Sequence, residues 1–138
     1  MNRIFLDLGL QPLANEYLKK FNPKQKKYWL KIFFNYKNKL VSISKRISSK
    51  KMFNNTYPYR SSMSQTMKFS FKDLSKEINK RFNPKKILEI GSNDGALLTN
   101  FYSKKVVGVE PCSNLAKITK KKGYTTFSEY WDLKLALK

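Results

Sequence analysis

Histidine is absent from this chain, and cysteine occurs once, at Cys112. The lack of histidine excludes a Ser/His/Asp catalytic triad, histidine general-base catalysis and metal sites built on imidazole. A single cysteine excludes an intrachain disulfide and is typical of proteins kept in a reducing compartment. We therefore expect a cytoplasmic location.

Long apolar runs are also missing. The longest apolar clusters, such as Ile32 to Phe34, fall far below the roughly 18 residues that a membrane-spanning helix needs. The N-terminal stretch MNRIFLDLG carries an acid at Asp7 and has no extended apolar core, which argues against a signal peptide. We expect no association with a membrane.

Acidic residues are few, with 9 Asp and Glu against 29 Lys and Arg in 138 residues, which gives a net charge of +20. A charge of this sign favours polyanionic partners such as nucleic acid. The excess is nearly all lysine and is spread along the chain, whereas bidentate recognition of phosphate or guanine favours arginine. We expect any nucleic-acid binding to be weak, sequence-independent and salt-sensitive.

Hydrophobic patterning divides the chain into three regions. Residues 1–60 contain short alternating runs broken by glycine and proline, and Trp29 to Phe34 with Leu40 to Ile43 predicts a hairpin, so this region is expected to be a small β-rich module. Residues 61–84 are expected to form a linking helix. The third region, residues 85–138, has the pattern of an α/β domain.

The linking helix is predicted from apolar residues that recur at spacings of three and four. These residues are Met63, Met67, Phe71, Leu74, Ile78 and Phe82. Ser61 or Ser62 is expected to cap the helix, and Asn83-Pro84 is expected to end it. A stripe of this kind most often faces a core, so we expect it to be covered.

After Pro84 the pattern becomes strand, turn, helix, strand, helix, strand. The predicted segments are a strand over Lys86 to Ile90, a helix beginning with Ala96, Leu97, Leu98 and Phe101, a strand over Val106 to Glu110, a helix marked by Leu115, Ala116 and Ile118, and a strand over Tyr124 to Phe127. This order predicts part of a Rossmann-like, doubly wound parallel sheet, with a ligand crevice at the carboxyl ends of its strands.

The turn of this unit is the stretch EIGSNDG, Glu89 to Gly95. A glycine directly after a strand leaves space for a ligand, and a helix that begins at Gly95 would point free N–H groups into that space. Glu110, about twenty residues after the first glycine, lies where an acid can accept both hydroxyls of a ribose. The G-x-x-x-G spacing and the charge of Asp94 disfavour a dinucleotide pyrophosphate. S-adenosylmethionine is therefore the expected ligand, and a structural turn without a ligand is the alternative.

Four blocks of the sequence resemble, in order, the sugar C-methyltransferase family, whose members methylate a ring carbon of nucleotide-linked deoxy-keto-sugars. The blocks are LDLGLQPLANEYL at 6–18, YPYRSSMSQTM at 57–67, LEIGSNDGALLTNF at 88–101 and VVGVEP at 106–111. The resemblance implies a zinc-binding N-terminal module, a Rossmann-like methyltransferase domain and a C-terminal substrate domain. It also implies a nucleotide-linked keto-sugar as the methyl acceptor.

The resemblance implies roles for individual residues. The expected cofactor-binding residues are Glu89, Gly91, Ser92, Asn93, Asp94 and Gly95, with Glu110 at the ribose. Tyr57 and Tyr59 are the candidates for helping at the substrate side, and ordinary aromatic packing is the alternative for both. The catalytic base is unassigned.

This chain also departs from the family pattern. It has no C-x-x-C before the DLG block, Asn35 and Asn38 stand where a second cysteine pair is expected, and Ser70 stands near an expected histidine. Amides are poor zinc ligands beside thiolates, so we expect no structural zinc. Because the chain stops soon after the third predicted strand, we expect an incomplete methyltransferase that is inactive alone. The alternatives are a cofactor-binding or scaffold subunit completed by a partner chain, and a basic nucleic-acid-binding protein.

Overall fold

Two sheets organise this mixed α/β chain, within the residues 2–43, 46–101 and 105–138 that the computed structural model describes. One sheet is antiparallel and belongs to a unit formed by Met1–Met52; the other is parallel and belongs to a unit formed by Phe53–Lys138. Residues 53–60, which patterning groups with the N-terminal region, are part of the second unit.

The N-terminal unit is an antiparallel sheet in the order β1-β2-β3, followed by a short helix. Its elements are β1 Asn2–Gln11, β2 Tyr28–Asn35, β3 Leu40–Ile43 and α1 Ser49–Met52. The predicted hairpin is confirmed, with Asn35 opposite Leu40. None of the described side chains of this unit is buried, so the sheet has no core of its own.

The hairpin loop depends on the two asparagines that stand at the expected cysteine positions. Asn35 Oδ1 accepts hydrogen bonds from the backbone N–H groups of Lys37 at 2.9 Å and Asn38 at 3.3 Å. Asn38 Oδ1 accepts another from the N–H of Leu40 at 3.2 Å. Short amide side chains favour such turns because they satisfy the loop backbone locally. Their oxygens thus stabilise the loop, and no group of three or more metal-ligating side chains occurs within the described ranges.

The linking helix begins at Gln65, after the predicted cap at Ser61 or Ser62. A single 3₁₀ turn, Ser61–Met63, precedes α2, which spans Gln65–Phe82. Ser64 is the N-cap, because its Oγ accepts the N–H of Met67 at 3.2 Å. The assignment of the cap to Ser61 or Ser62 was therefore wrong. The predicted end at Asn83 is confirmed, since this residue adopts the left-handed conformation at the C-terminus of the helix.

The expectation that the apolar stripe is covered is also wrong for three of its six residues. Met63, Leu74 and Phe82 are 78%, 45% and 73% exposed, and Ser75 is the only buried residue of α2. Ile78 packs against the core of the C-terminal unit. Ser75 lies one helical turn before Ile78. The inner side of α2 therefore consists of one member of the apolar stripe and a small polar residue beside it.

The C-terminal unit is a parallel sheet in the order β4-β5-β6. Its strands are β4 Lys86–Ile90, β5 Lys105–Val109 and β6 Thr125–Phe127; α3 Ser113–Lys121 lies between β5 and β6, and α4 Leu133–Ala136 follows β6. The strand predictions are confirmed to within one residue at each end. In register, Glu89 lies beside Gly108, which lies beside Thr126.

The predicted helix after the turn is not α-helical in its described part, residues 96–101. A turn at Ala96 and Leu97 leads into one 3₁₀ turn, Leu98–Asn100. Because β4 and β5 are parallel, the chain between Gly95 and Lys105 must return along the length of a five-residue strand, which is about 16 Å. An α-helix rises about 1.5 Å per residue and would need roughly eleven residues, whereas residues 96–104 supply nine positions.

The apolar residues of this connection nevertheless form the core. Leu98 is fully buried, and Phe101 and Val106 are 2% and 8% exposed; Ile78 and Ile87 pack against them. The amphipathic pattern therefore identified the buried side chains correctly while overestimating the regularity of the backbone.

None of the helices in the described ranges is both long enough and apolar enough to cross a membrane.

Candidate functional site

The turn after β4 is fixed to the end of β5. The backbone N–H groups of Gly91 and Ser92 both donate to the carbonyl of Val109, at 2.8 and 3.1 Å. Gly91 and Gly95 both have a φ of +76°, a conformation that is costly for residues with a Cβ. The two glycines that the sequence placed at this turn are therefore required by its backbone.

The surroundings of these glycines differ. A Cβ at Gly95 would lie 2.8 Å from the side chain of Thr119, so this glycine permits close packing against α3. A Cβ at Gly91 would meet nothing within 4 Å, and Gly91 is exposed. Gly91 thus faces open space at the carboxyl edge of the parallel sheet, where ligands of such sheets bind.

Ser92 lies on the inner side of the turn. A Cβ at Gly108 would come within 2.8 Å of Ser92 Oγ and 2.9 Å of Leu98 Cδ1, so Gly108 makes room for both side chains. Ser92 is 2% exposed, and its Oγ has no hydrogen-bond partner in the part of the chain that the structure describes. A buried hydroxyl without a partner is costly, which makes this group a candidate for interaction with a bound molecule.

Glu110 connects the turn to the start of α3. Its carboxylate is buried, with the residue 5% exposed. Oε2 accepts the N–H of Asn93 at 2.8 Å, and Oε1 accepts the N–H of Cys112 at 2.7 Å. Hydrogen bonds to a charged acceptor are among the stronger ones in proteins. Glu110 therefore has a clamping role that the sequence did not predict, in addition to its expected place beside the ribose.

Cys112 is buried behind this clamp. Burial, together with the hydrogen bond and negative charge of Glu110, raises the pKa of the Cys112 thiol to about 12. The thiolate is the nucleophilic form of cysteine. Cys112 consequently stays protonated at neutral pH and is a packing residue.

A segment that we call the strap, residues 57–62, lies across the turn. The backbone N–H of Ser61 donates to Asn93 Oδ1 at 2.9 Å, and the N–H of Ser62 donates to Asp94 Oδ1 at 3.3 Å. The Ser62 hydroxyl also donates to Asp94 Oδ2. Asp94 is 1% exposed, so its carboxylate binds the strap. The structure thus brings together the YPYRSS and GSNDG blocks, which are separated by about thirty residues.

Tyr57 and Tyr59 lie in the strap. Asn93 Nδ2 donates to the carbonyl of Tyr59 at 3.3 Å, and Asn114 Nδ2 donates to the carbonyl of Tyr57 at 2.8 Å. The Tyr57 ring is half-buried against Phe53, with centroids 5.4 Å apart, whereas Tyr59 is 47% exposed. The two tyrosines are therefore held near the turn by their backbone, and Tyr59 is the more accessible of the two.

Glu89 is the most perturbed acid of the site. Burial, followed by the nearby charge of Glu110, raises the pKa of Glu89 from 4.5 to about 7, against the opposing effect of a hydrogen bond from the backbone N–H of Leu98. Its Oε2 is buried and has no hydrogen-bond partner among the described residues. Two carboxylates close enough to repel each other, one of them with an unpaired oxygen, favour a positively charged ligand.

The raised pKa predicts a dependence of stability on pH. Because Glu89 binds its proton more tightly when folded, its contribution to stability is full below pH 4.5 and is lost as pH rises towards 7. In Glu89→Gln we expect the free energy of unfolding to lose this downward slope between pH 4.5 and 7, measured by urea unfolding at several pH values. Glu129→Gln, at an exposed glutamate, should keep the slope; a slope unchanged in Glu89→Gln would contradict the assignment.

Ser61, Ser62 and Asn114 are functional-site residues that sequence reasoning missed. Their partners lie about 32 residues away for the serines and 57 residues away for Asn114. The available signal was Asp94, since an acid in a buried glycine turn needs donors. The serine pair before α2 was interpreted as a helix cap, and Ser64 took that role.

Comparison with known proteins gives this chain no family assignment. No protein-family model matches it, and no curated protein matches it. The chemistry of the crevice at Gly91 therefore carries the functional conclusion.

Proposed function

We propose that the Phe53–Lys138 unit binds S-adenosylmethionine at the carboxyl edge of its parallel sheet, and that the chain is a methyltransferase-like protein. The observation that carries this proposal is the unpaired, buried Glu89 Oε2 next to the second carboxylate of Glu110. A sulfonium or an ammonium group placed there would relieve the repulsion between the two acids. The open space at Gly91 provides the entrance.

Different residues of the site would contact different parts of S-adenosylmethionine. Glu89 would hold the ammonium of the methionine end, and the backbone of Gly91, Ser92 and Asn93 would line it. A carboxylate has about four acceptor positions. Glu110 uses two of them for backbone N–H groups and a third for the Cys112 thiol, so one is left for a ribose hydroxyl. Asp94 is engaged with Ser62 and supports the turn without contacting the ligand.

The methyl acceptor belongs to the same proposal. By the resemblance of its sequence blocks, the acceptor is a nucleotide-linked keto-sugar, and bound S-adenosylmethionine would supply the electrophilic methyl group. The exposed Tyr59 ring is available to contact the acceptor, with Tyr57 behind it. No described residue is assigned as the catalytic base, so we propose that this chain alone transfers no methyl group. We also propose that the protein acts in the cytoplasm.

A second candidate function is that of a subunit completed by a partner chain. Within the described ranges β4 pairs only with β5, which leaves the other edge of β4 open. Leu88 and Ile90 on this strand are 47% and 54% exposed. An open edge with exposed apolar side chains favours pairing with another strand. This observation supports cofactor binding that strengthens when a partner is present.

Calorimetric titration of the purified chain with S-adenosylmethionine tests the first function. We expect one site per chain with a dissociation constant between roughly 1 μM and 1 mM, or about −8 to −4 kcal/mol. 5′-Methylthioadenosine, which lacks the ammonium that Glu89 would hold, should bind about tenfold less tightly because it loses the attraction of the carboxylates. Equal affinities of S-adenosylmethionine and 5′-methylthioadenosine would contradict the role of Glu89, and no binding at millimolar ligand would favour the second candidate.

A further inference from the structure

A cavity of about 430 Å³ lies between α2 and the connection that follows the turn. This volume is within the range of roughly 300–1,000 Å³ that is typical of small-molecule pockets. Lys68, Phe69 and Lys72 line it from α2, Thr99 lines it from the connection, and Lys122 lines it from the end of α3. It contains none of the residues that the proposed function assigns to S-adenosylmethionine.

The electrostatics of this pocket favour an anion. Lys68 and Lys72 are four residues apart in α2, so their side chains lie on the same face of the helix, one turn from each other. Lys122 adds a third ammonium group, whose Nζ donates to the main-chain carbonyl of Asp94 at 2.9 Å. No acidic side chain is among the described lining residues. The nearby Asp94 carboxylate is bound to Ser62, and the three ammonium groups outnumber it, so the concave surface attracts multivalent anions.

The pocket also has an aromatic wall. The Phe69 side chain stands between the two lysines in sequence and is 60% exposed. The Ser62 and Thr99 hydroxyls lie among the other lining groups. An exposed ring beside ammonium groups suits a ligand that combines a flat ring with phosphate, because the ring stacks while the lysines neutralise the charge.

We propose that this pocket binds an organic anion that carries two or more phosphate groups and a flat ring, as a nucleoside diphosphate does. A single inorganic phosphate would leave most of the cavity unfilled and Phe69 without a partner. Lys122 and Ser62 both contact Asp94, so the pocket and the turn share a wall. The proposal does not depend on S-adenosylmethionine binding, because no ligand-contacting residue is common to the two sites.

Titration calorimetry in 150 mM salt tests this site with three probes: adenosine diphosphate, pyrophosphate and adenosine. We expect one saturable site, with adenosine diphosphate binding more tightly than pyrophosphate and pyrophosphate more tightly than adenosine. Lys68→Gln with Lys72→Gln should weaken adenosine diphosphate binding about tenfold or more by removing two charged donors. Phe69→Ala should weaken adenosine diphosphate binding and leave pyrophosphate binding unchanged.

The matched control is Lys117→Gln with Lys120→Gln, which removes the same charge from exposed positions of α3 outside the pocket. This control should change affinity by less than about twofold at this salt concentration, because exposed charges at a distance are screened. Equal losses in the two double variants, or binding without saturation, would show that the diffuse +20 charge binds the probe and would overturn the proposal. Unchanged S-adenosylmethionine binding in the Lys68/Lys72 variant separates this result from the proposed function.

Discussion

Replacing Glu110 with alanine is expected to lower the free energy of unfolding of the Phe53–Lys138 unit by about 3 to 6 kcal/mol. The change removes the acceptor of two backbone N–H groups, that of the half-buried Asn93 and that of the buried Cys112. Hydrogen bonds to a charged group contribute about 1.5 to 3 kcal/mol each, and donors left without a partner keep the cost of burial. Chemical denaturation followed by far-UV circular dichroism measures the difference.

Two variants separate the clamp from a general effect of charge. Glu129→Ala removes an exposed glutamate whose partner is Lys138, and it should cost less than about 1 kcal/mol. Glu110→Gln keeps an acceptor oxygen for one of the two N–H groups, so its free energy of unfolding should lie between those of the wild type and Glu110→Ala. A loss below 1 kcal/mol in Glu110→Ala would mean that the two hydrogen bonds do not hold the turn to α3.

Gly91→Val is expected to abolish S-adenosylmethionine binding. The side chain would fill the open space beside the turn, which is the proposed entrance to the site. Valine at a φ of +76° also strains the backbone, at a cost of about 1 to 2 kcal/mol in stability. Binding is measured by calorimetry on protein whose unfolding curve shows that the sheet is intact.

Gly123→Val is the matched control for this substitution. Gly123 has a φ of +86°, and a Cβ there also meets nothing within 4 Å, but it follows α3 and lies outside the turn. The two variants should lose similar stability, and only Gly91→Val should lose the ligand. If Gly91→Val bound S-adenosylmethionine as wild type does, the ligand would not pass Gly91.

The strands and the turn could be predicted from the sequence because their signals are local. Alternation and short apolar runs identified β2, β3 and β4, and the paired glycines identified a turn that needs a positive φ at Gly91 and Gly95. A local pattern carries such information because strand periodicity and glycine conformation depend on neighbouring residues.

The surroundings of the site could not be predicted, because they depend on residues far apart in sequence. Asn93 and Asp94 have side chains suited to a ligand, and only the structure shows that Ser61 and Ser62 engage them. Residues 96–101 are not α-helical for a similar reason, since the length of the connection overrides the helical pattern of its apolar residues. Burial of the α2 stripe was overestimated because periodicity identifies an apolar face and not its cover.

Photolabelling tests the central claim, that the turn and Glu110 form the cofactor site, most directly. Ultraviolet irradiation of the chain with radiolabelled S-adenosylmethionine, followed by tryptic digestion, locates the bound ligand on the sequence. We predict label in the peptides of residues 87–104 and 106–117, which contain the turn and Glu110, and its loss in Gly91→Val and in the presence of excess S-adenosylhomocysteine. Label confined to peptides of the Met1–Met52 unit, or spread over lysine-rich peptides without competition, would contradict the assignment.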